Sequence, residues 1–360
     1  MTLIREITAT TTTAAGARDS AAVPAVRAAT AATAATAATA APASAAVPAA
    51  TAAPVAAWQP QPVQVSIPAG NCRLNNLAEQ HPCFAGGKPN NKGRMHLPVS
   101  PGCNIACRFC ERSLNSHEQR PGVSSTVLRP DEVLDAVAEA LALSPELSVI
   151  GIAGPGDTLA TPYAFAAFRL VKEHFPQLLR CMSTNGLLLA DKIDELVEVG
   201  VDTLTVTVND VDPERLALIN DRVVYRGQLY TGTEAAELLI NNQLAGIRAA
   251  AERNVMIKVN TVLIPGINAA HIGEIARTVK AAGAGLYNII PLIPNAKMAQ
   301  LPAPTCAQID AARSAAEQYI AVFRHCQHCR ADAIGIPGGK DFGQQIWRKR
   351  VNAPNTFSHG

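Results

Sequence analysis

The segment Ser100–Arg112 contains three cysteines at C-x3-C-x2-C spacing, Cys103, Cys107 and Cys110. We expect a glycine-bearing loop to fold around whatever the three thiolates bind. Zinc sites usually take four ligands, often from two separated C-x2-C pairs. Three close thiolates are typical instead of a cubane iron–sulfur cluster with one iron open to an outside ligand. A structural metal clip or a disulfide knot is the alternative.

Two neighbouring features locate this loop in the chain. Phe109 precedes the last cysteine, and Met95–Val99 predicts a strand, so the loop follows a strand's carboxyl end. In these features the chain resembles radical S-adenosylmethionine (SAM) enzymes. The resemblance implies a SAM-binding [4Fe–4S] cluster held by three catalytic ligands, Cys103, Cys107 and Cys110.

The first part of the chain has an unusual composition. Residues 8–62 are mostly Ala, Thr and Pro, with almost no large apolar side chain to bury. Such a segment cannot offset its own ordering entropy, so we predict a disordered tail over residues 1–66. The alanines of this tail raise the hydrophobic share of the whole chain to 48%, which therefore overstates the core.

Charge and cysteine content limit the partners. The net charge of +2, without basic runs, argues against nucleic acid, and no stretch is apolar and long enough for a membrane span. Nine cysteines without a secretory signal are typical of a reducing compartment, where cysteines are ligands more often than disulfides. We therefore expect a soluble, cytoplasmic protein.

After the tail, strand and helix patterns alternate. Apolar runs predict strands over residues 95–99, 148–153, 178–183, 202–208, 255–264 and 286–292. Helical spacing predicts helices over residues 130–143, 163–174, 192–199, 235–253, 269–282 and 306–323. Alternating units with apolar strands indicate the α/β class, with a parallel sheet covered by helices. Six units predict a partial TIM-type (βα)6 barrel.

Polar and glycine residues follow several of the predicted strands, where such a barrel collects its chemistry. A carboxylate such as Asp157 can receive the ammonium group of a bound amino acid, although its glycine motif alone also fits an ordinary turn. We predict that the cofactor-binding residues at these strand ends are Gly154, Gly156, Asp157, Ser183, Asn185, Thr207 and Ile264.

Further cysteines and histidines lie outside the loop. Cys326 and Cys329 form a C-x2-C pair with interleaved histidines, which elsewhere indicates half of a zinc site. Cys83 precedes the predicted barrel. Cys181 is predicted at the end of the third strand, facing the same mouth, although a lone strand cysteine is usually a small core residue. His96 on the first strand has the same structural alternative, a satisfied core histidine.

These motifs together resemble the NifB family, the radical SAM maturases of the nitrogenase iron–molybdenum cofactor. The resemblance extends from about residue 81 to residue 335. Its strings are His81-Pro82-Cys83, Arg94-Met95-His96, Cys103 through Cys107, Arg120-Pro121-Gly122-Val123, Ala153 through Asp157, Ser183 through Gly186, Lys258-Val259-Asn260, Ile264 through Asn268 and His325 through Ala333. It implies that Cys83, His96 and Cys181 hold one auxiliary [4Fe–4S] cluster, and that Cys326 and Cys329 hold a second.

The chain departs from the family in one respect. Members usually carry another cysteine about six residues after the third cluster cysteine, but the segment Ser113–Gln119 is one residue shorter and contains none. His117, Glu118 or an exchangeable outside ligand is the candidate replacement. Many relatives also append a small cofactor-carrier domain, and we expect this chain to be a form without one.

The resemblance implies a function and partners. One SAM would methylate a sulfur of an auxiliary cluster, a second would supply the radical, and the two clusters would fuse around a carbide. The implied partners are an electron donor such as a ferredoxin, an iron–sulfur cluster donor and a downstream nitrogenase cofactor carrier or scaffold protein. The alternatives are a radical SAM enzyme acting on a peptide or small molecule with auxiliary relay clusters, and a non-catalytic iron–sulfur scaffold.

The implied organisation has four regions: the tail at 1–66, an N-terminal extension with an auxiliary-cluster ligand at 67–93, the radical SAM barrel at 94–323 and a C-terminal extension with the C-x2-C ligands at 324–360.

Deleting residues 1–60 should leave iron content and SAM cleavage unchanged, because the tail contributes no core side chain. Iron per chain and 5′-deoxyadenosine formed from SAM and dithionite measure this, with the full-length chain as control. A clear loss of folded protein on truncation contradicts the prediction.

Overall fold

The computed structural model describes Leu77, residues 79–84 and residues 91–350. The predicted tail over residues 1–66 lies outside the described residues, as do the last ten residues. The boundaries predicted for the four regions therefore stay predictions.

The centre of the fold is an eight-stranded sheet whose six long strands are parallel neighbours. The strands of the described chain are β1 Gly93–His96, β2 Ile105–Cys107, β3 Ser113–Leu114, β4 Val123–Ser124, β5 Leu147–Ile152, β6 Leu179–Thr184, β7 Thr203–Thr207, β8 Asn220–Tyr225, β9 Gln228–Thr231, β10 Met256–Leu263, β11 Leu286–Pro291, β12 Val322–Phe323 and β13 Ile334–Gly335. The sheet order is β12-β11-β10-β7-β6-β5-β1-β13. Its two ends are different short strands, as the prediction of a partial barrel requires.

Helices connect the parallel strands. Their bounds are α1 Val133–Leu143, α2 Tyr163–His174, α3 Leu189–Glu198, α4 Pro213–Ala217, α5 Gly232–Glu252, α6 Ile272–Ala281, α7 Cys306–Glu317 and α8 Gly343–Trp347. Short 3-10 turns occupy Pro130–Glu132, Ala269–His271, Ala296–Met298 and Arg348–Arg350. Within the described residues, no helix is both long enough and apolar enough to cross a lipid bilayer.

Alternation along the strands separates a helix-covered face from the barrel interior. On β10, Val259 and Thr261 are buried among the covering elements, while Lys258 and Asn260 lie on the opposite face. Asn260 accepts a hydrogen bond at 3.0 Å from Asn288 of β11. The interior therefore carries polar side chains where a closed hydrophobic core would carry apolar ones.

Several elements differ from the sequence prediction, among them the first strand, which was predicted over residues 95–99 and is Gly93–His96. The last helix, predicted over residues 306–323, ends at Glu317, and Val322–Phe323 instead pairs in parallel with β11. The hairpin β8–β9 was not predicted. Its first strand pairs antiparallel with β2 of the cysteine loop, so these three strands form a separate small sheet.

The C-terminal segment returns to the first strand of the barrel. β13 pairs antiparallel with β1, with Arg94 opposite Gly335. Trp347 is fully buried, and its Nε1 donates to the Asp332 carbonyl oxygen at 2.6 Å. This return brings the second C-x2-C motif next to β1.

Gly246→Ala should destabilise the protein, because a Cβ there would lie 2.6 Å from Cβ and Cγ of Leu189 on α3. Such overpacking costs roughly 1 to 3 kcal/mol, which exceeds the gain of about 1 kcal/mol in helix propensity. A thermal midpoint lower by a few degrees checks this. Gly273→Ala on α6 is the control, since its nearest neighbour would lie at 3.5 Å. Equal midpoints for the two variants contradict the prediction.

Candidate functional site

The cysteine loop is held by the unpredicted hairpin. Ile105–Cys107 pairs with β8, and the Arg108 amide donates to the Ile219 carbonyl oxygen at 2.8 Å. The Cys110 amide donates to the Cys107 carbonyl oxygen at 3.1 Å, which turns the chain between the last two cysteines. The three cysteines therefore sit on a loop with a defined backbone.

The thiols of this loop lie close enough to affect one another. Burial raises the pKa of Cys103 to about 12, with a further increase from the charge of Cys110. Burial also raises the pKa of Cys107 well above its usual value, and Cys110 and Cys103 add to that shift. Such thiols ionise when a metal takes the place of the proton. Cys110 is the most exposed of the three.

This donor set fits an iron–sulfur cluster better than a single metal ion. In the described part of the chain, no three Cys, His, Asp or Glu side chains converge closely enough to hold one ion. A cluster takes its thiolates on separate iron atoms, so its ligands need not converge on one point. Three neighbouring thiols on one loop suit a four-iron cluster in which one iron stays open to an outside ligand.

The loop after β5 packs directly on the cysteine loop. The Gly156 amide donates to the Ser100 carbonyl oxygen at 2.6 Å, and the Asp157 amide donates to the Gly102 carbonyl oxygen at 2.7 Å. A Cβ on Gly156 would lie 2.0 Å from the Gly102 carbonyl oxygen, so only glycine permits this approach. Gly154, with φ of +125°, likewise requires glycine.

The carboxylate of Asp157 is buried and hydrogen-bonded. It accepts from the amides of Leu159 at 3.0 Å and Asn185 at 2.5 Å, and from the Thr184 hydroxyl at 3.0 and 3.2 Å. Burial raises its pKa, while these hydrogen bonds act in the opposite direction. Asp157 thus ties the loop after β5 to the end of β6. Its predicted contact with the amino group of SAM stays a prediction.

Residues at the end of β6 reach the cysteine loop. Asn185 donates from Nδ2 to Asn104 Oδ1 at 2.7 Å, and the same nitrogen lies 3.9 Å from Cys103 Sγ. The Ser183 carbonyl oxygen accepts from the Thr158 hydroxyl at 2.6 Å. The predicted residues of the β5 and β6 ends therefore form one connected group with the cysteine loop.

Gln243 on α5 is a functional candidate that the sequence analysis missed. Its buried amide donates to the Asn185 carbonyl oxygen at 2.7 Å and to the Thr207 carbonyl oxygen at 2.9 Å. It thereby fixes the ends of β6 and β7 relative to each other. A glutamine on the otherwise apolar buried face of a helix was the available signal.

Ile264 is placed by an asparagine network at the end of β10. Its side chain is fully buried, and its amide donates to Asn268 Oδ1 at 2.7 Å. Asn268 in turn donates to the carbonyl oxygens of Asn209 and Val262 at 2.7 and 2.8 Å. The cofactor contact predicted for Ile264 stays a prediction.

A second group of donors lies deeper in the barrel. Cys181 is the third residue of β6, three residues before its end, beside Gly151 of β5 and Thr203 of β7. The prediction that it occupies the end of the strand was therefore wrong, because the strand continues to Thr184. At about 3.3 Å per residue, Cys181 lies roughly 10 Å below the strand end.

Cys83 is central to this interior group. Burial raises the pKa of its thiol, and the charges of Lys258, Cys329 and Cys326 also act on it. Burial raises the pKa of Cys181 to about 11, with Cys83 among its neighbours. The structure therefore brings Cys83 close to both predicted auxiliary ligand sets. The side chains of Cys83, Cys181 and Cys326 pack against one apolar cluster that contains Phe84 and Phe323.

His96 is oriented as a metal ligand would be. Its Nδ1 lies 2.9 Å from the Arg330 carbonyl oxygen, which can only accept, so Nδ1 carries the proton and Nε2 keeps its lone pair. Burial lowers the pKa of His96 to about 4. A Cβ on Gly151 would lie 2.9 Å from the ring, so this glycine makes room for it.

Two cations lie among the interior donors. Arg94 donates to the Gly335 carbonyl oxygen at 2.6 Å and to Cys329 Sγ at 3.0 Å, while its buried Nε has no partner. Lys258 is also buried, and its Nζ lies 3.4 Å from the Cys83 carbonyl oxygen. Both residues lie in sequence motifs named above, but the motifs predict no role for either of them.

The shortened segment after the cysteine loop faces outward. His117 is exposed. The Glu118 carboxylate accepts from Asn115 Nδ2 and Arg120 Nε, each at 2.6 Å, and the hydrogen bond from Arg120 lowers its pKa. Arg330 donates to the carbonyl oxygens of Asn115 and Glu118. Of the three candidate replacements, these contacts favour an exchangeable outside ligand; no observation tests the ligand roles predicted for His117 and Glu118.

Comparison with known proteins shows the family of this chain. Residues 97–279 match the radical SAM superfamily model. The FeMo cofactor biosynthesis protein NifB of Methanocaldococcus infernus is 46% identical over 285 residues, covering 79% of this chain and 94% of the relative. The protein of the same name from Klebsiella pneumoniae is 42% identical over 302 residues, covering 81% of this chain and 64% of the relative.

Among solved structures, a radical SAM methyltransferase from Sphaerobacter thermophilus is similar to this chain, with 19% identity, a TM-score of 0.46 and 64% of each chain covered. The superfamily match and the extent of the identities establish the family. The chain belongs to the radical SAM superfamily and, within it, to the NifB family.

Proposed function

We propose that this protein is a radical SAM maturase that assembles the precursor of the nitrogenase iron–molybdenum cofactor from two four-iron clusters and a SAM-derived carbon. The observation that carries the proposal is the presence of two donor groups in one barrel. Three thiols share the cysteine loop. Cys83, Cys181 and Cys326 pack against one apolar cluster, and the His96 ring lies against the C-terminal segment that carries the C-x2-C pair. The names of the relatives support the same function.

Cys103, Cys107 and Cys110 would hold the resident cluster at the mouth. When bound, that cluster supplies the electron that cleaves SAM into methionine and a 5′-deoxyadenosyl radical. The loop ends after β5 and β6 would bind SAM beside it. Asn185 is well placed for this, because its amide already lies 3.9 Å from Cys103 Sγ.

The interior donors would hold the two auxiliary clusters, which are the substrate. We propose that Cys83, His96 and Cys181 bind one cluster and that Cys326 and Cys329 bind the other, so that both lie in the same chamber. The chain's contribution is then geometric, since it brings donors from both ends of the sequence to one place and excludes water from the radical.

The partners follow from this chemistry. We propose that an electron donor such as a ferredoxin reduces the resident cluster, that a cluster donor supplies the substrate, and that a nitrogenase cofactor carrier or scaffold protein receives the product. An extracted product that activates apo-nitrogenase supports the proposal. If SAM is cleaved but no such product forms, the protein acts on a peptide or small molecule. If SAM is not cleaved, it is an iron–sulfur scaffold.

Replacing Cys103, Cys107 or Cys110 with Ala should abolish SAM cleavage, because the resident cluster loses a ligand that nothing nearby replaces. Iron bound by the proposed auxiliary-cluster ligands should remain. The measurement is 5′-deoxyadenosine formed from SAM and dithionite, together with iron per chain. Cys306→Ala, which removes an exposed cysteine of α7, is the matched control. Continued cleavage by the triple variant would remove the basis of the proposed function.

His117→Ala and Glu118→Ala should each keep full iron content, because His117 is exposed and Glu118 is held by Arg120 and Asn115. An exchangeable outside ligand then completes the first auxiliary cluster. Cys83→Ala is the positive control and should lose about four iron atoms per chain, the content of one cluster. Loss of that amount in His117→Ala alone, with SAM cleavage intact, would identify the imidazole as the replacement ligand.

A further inference from the structure

Lys258 is a buried cation without a carboxylate beside it. It has 6% of its surface exposed. Its Nζ lies 3.4 Å from the Cys83 carbonyl oxygen and stands over the rings of Phe84 and Phe323, at 4.9 and 5.3 Å from their centroids. Across the described residues, no ion pair joins Lys258 to an Asp or a Glu; its contacts are the carbonyl group and the two rings.

Two carboxylates whose charges affect the interior donors are paired with other cations. Asp332, whose charge raises the pKa of His96, forms a buried ion pair with Arg330 at 2.8 Å. Asp202, whose charge raises the pKa of Cys181, lies 3.4 Å from the guanidinium of Arg180. Neither carboxylate is therefore available to balance the charge of Lys258.

Burial without a counter-charge is unfavourable for an ammonium group. Nζ has three N–H donors and loses its hydration inside the barrel. One carbonyl oxygen and two aromatic faces replace part of that hydration but bring no negative charge. An anion bound beside the ammonium group would offset the free-energy cost of its burial.

The groups around Lys258 identify that anion. Phe84 and Phe323, on which Nζ stacks, belong to the apolar cluster against which Cys83, Cys181 and Cys326 pack. An iron–sulfur cluster held by thiolates carries net negative charge, and its reduction adds more. The cation is thus placed where such a group would bind.

We propose that Lys258 is a positioning residue that supplies the fixed counter-charge for the iron–sulfur substrate bound by the interior cysteines. This inference rests on the proposed function. Lys258 donates no ligand and touches no reacting atom. Its charge retains the cluster in the chamber and makes the cluster easier to reduce.

The test uses the full chain with Cys103, Cys107 and Cys110 replaced by Ala, so that only interior iron is measured. Lys258→Met removes the charge at similar volume, and Lys258→Arg retains it. Lys340→Met is the matched control, because Lys340 stands 4.8 Å over the Phe342 ring on the exposed surface. The readouts are iron per chain, the rate of iron loss to a chelator and the reduction potential followed by electron paramagnetic resonance.

Lys258→Met should lose iron roughly tenfold faster than its parent. Its reduction equilibrium should shift about tenfold toward the oxidised state, which is about 59 mV lower for a one-electron couple. Removing a positive charge disfavours the more negative reduced state, which sets the sign. Lys258→Arg should stay close to the parent in the rate of iron loss and in reduction potential. Lys340→Met should match the parent in both measurements.

Stability of the iron-free protein separates this role from a structural one. Removing an unpaired buried charge should leave the thermal midpoint of the iron-free chain unchanged or raise it. A lower midpoint with unchanged potential and iron loss would mean that Lys258 only packs against the two rings, and the inference would be overturned. If the parent holds iron and Lys258→Met behaves identically, the inference alone fails. If the parent holds no interior iron, the proposed function fails with it.

Discussion

The buried guanidinium of Arg330 makes the contacts that join the segment after the cysteine loop to the C-terminal segment with its C-x2-C pair. It pairs with Asp332 and donates to the carbonyl oxygens of Asn115 and Glu118, while its own carbonyl oxygen accepts from Nδ1 of His96. One residue thus contacts the segment after the cysteine loop and His96 of β1, and it belongs to the segment that carries the second C-x2-C motif. Because the pair is buried, loss of either partner would leave an uncompensated charge, which costs far more than an exposed pair gains.

The barrel interior is chemically unlike an ordinary core. Arg94 and Lys258 are buried there without carboxylate partners, and Oδ1 of Asn288 is buried with no hydrogen-bond partner. Buried polar groups are normally satisfied, so these three residues distinguish the interior from an ordinary apolar core. The cysteine loop is held in a different way from the interior residues. The backbones of Gly102 and Gly156 approach closely, and backbone hydrogen bonds connect the cysteine loop to the loop after β5.

Much of the fold was predictable because buried parallel strands are nearly continuous apolar runs. The strand predicted over residues 202–208 is Thr203–Thr207, and the helix predicted over 163–174 has those bounds. The last helix was predicted too long because apolar residues recur beyond its end. The hairpin β8–β9 was missed because its two-residue turn, Arg226–Gly227, uses positive φ at both positions without the usual Asn-Gly or Asp-Gly sequence.

The sequence by itself determined the family and named the candidate donor residues, because both depend on short motifs whose spacing can be read along the chain. It could not determine the depth of Cys181, which depends on how far β6 continues beside its neighbours. Nor could it show that Gln243 joins two strand ends or that Lys258 lacks a carboxylate, because those relations form between residues far apart in the chain. Only the tertiary structure decides which charges remain unpaired, since pairing depends on distance in space and on exclusion of water.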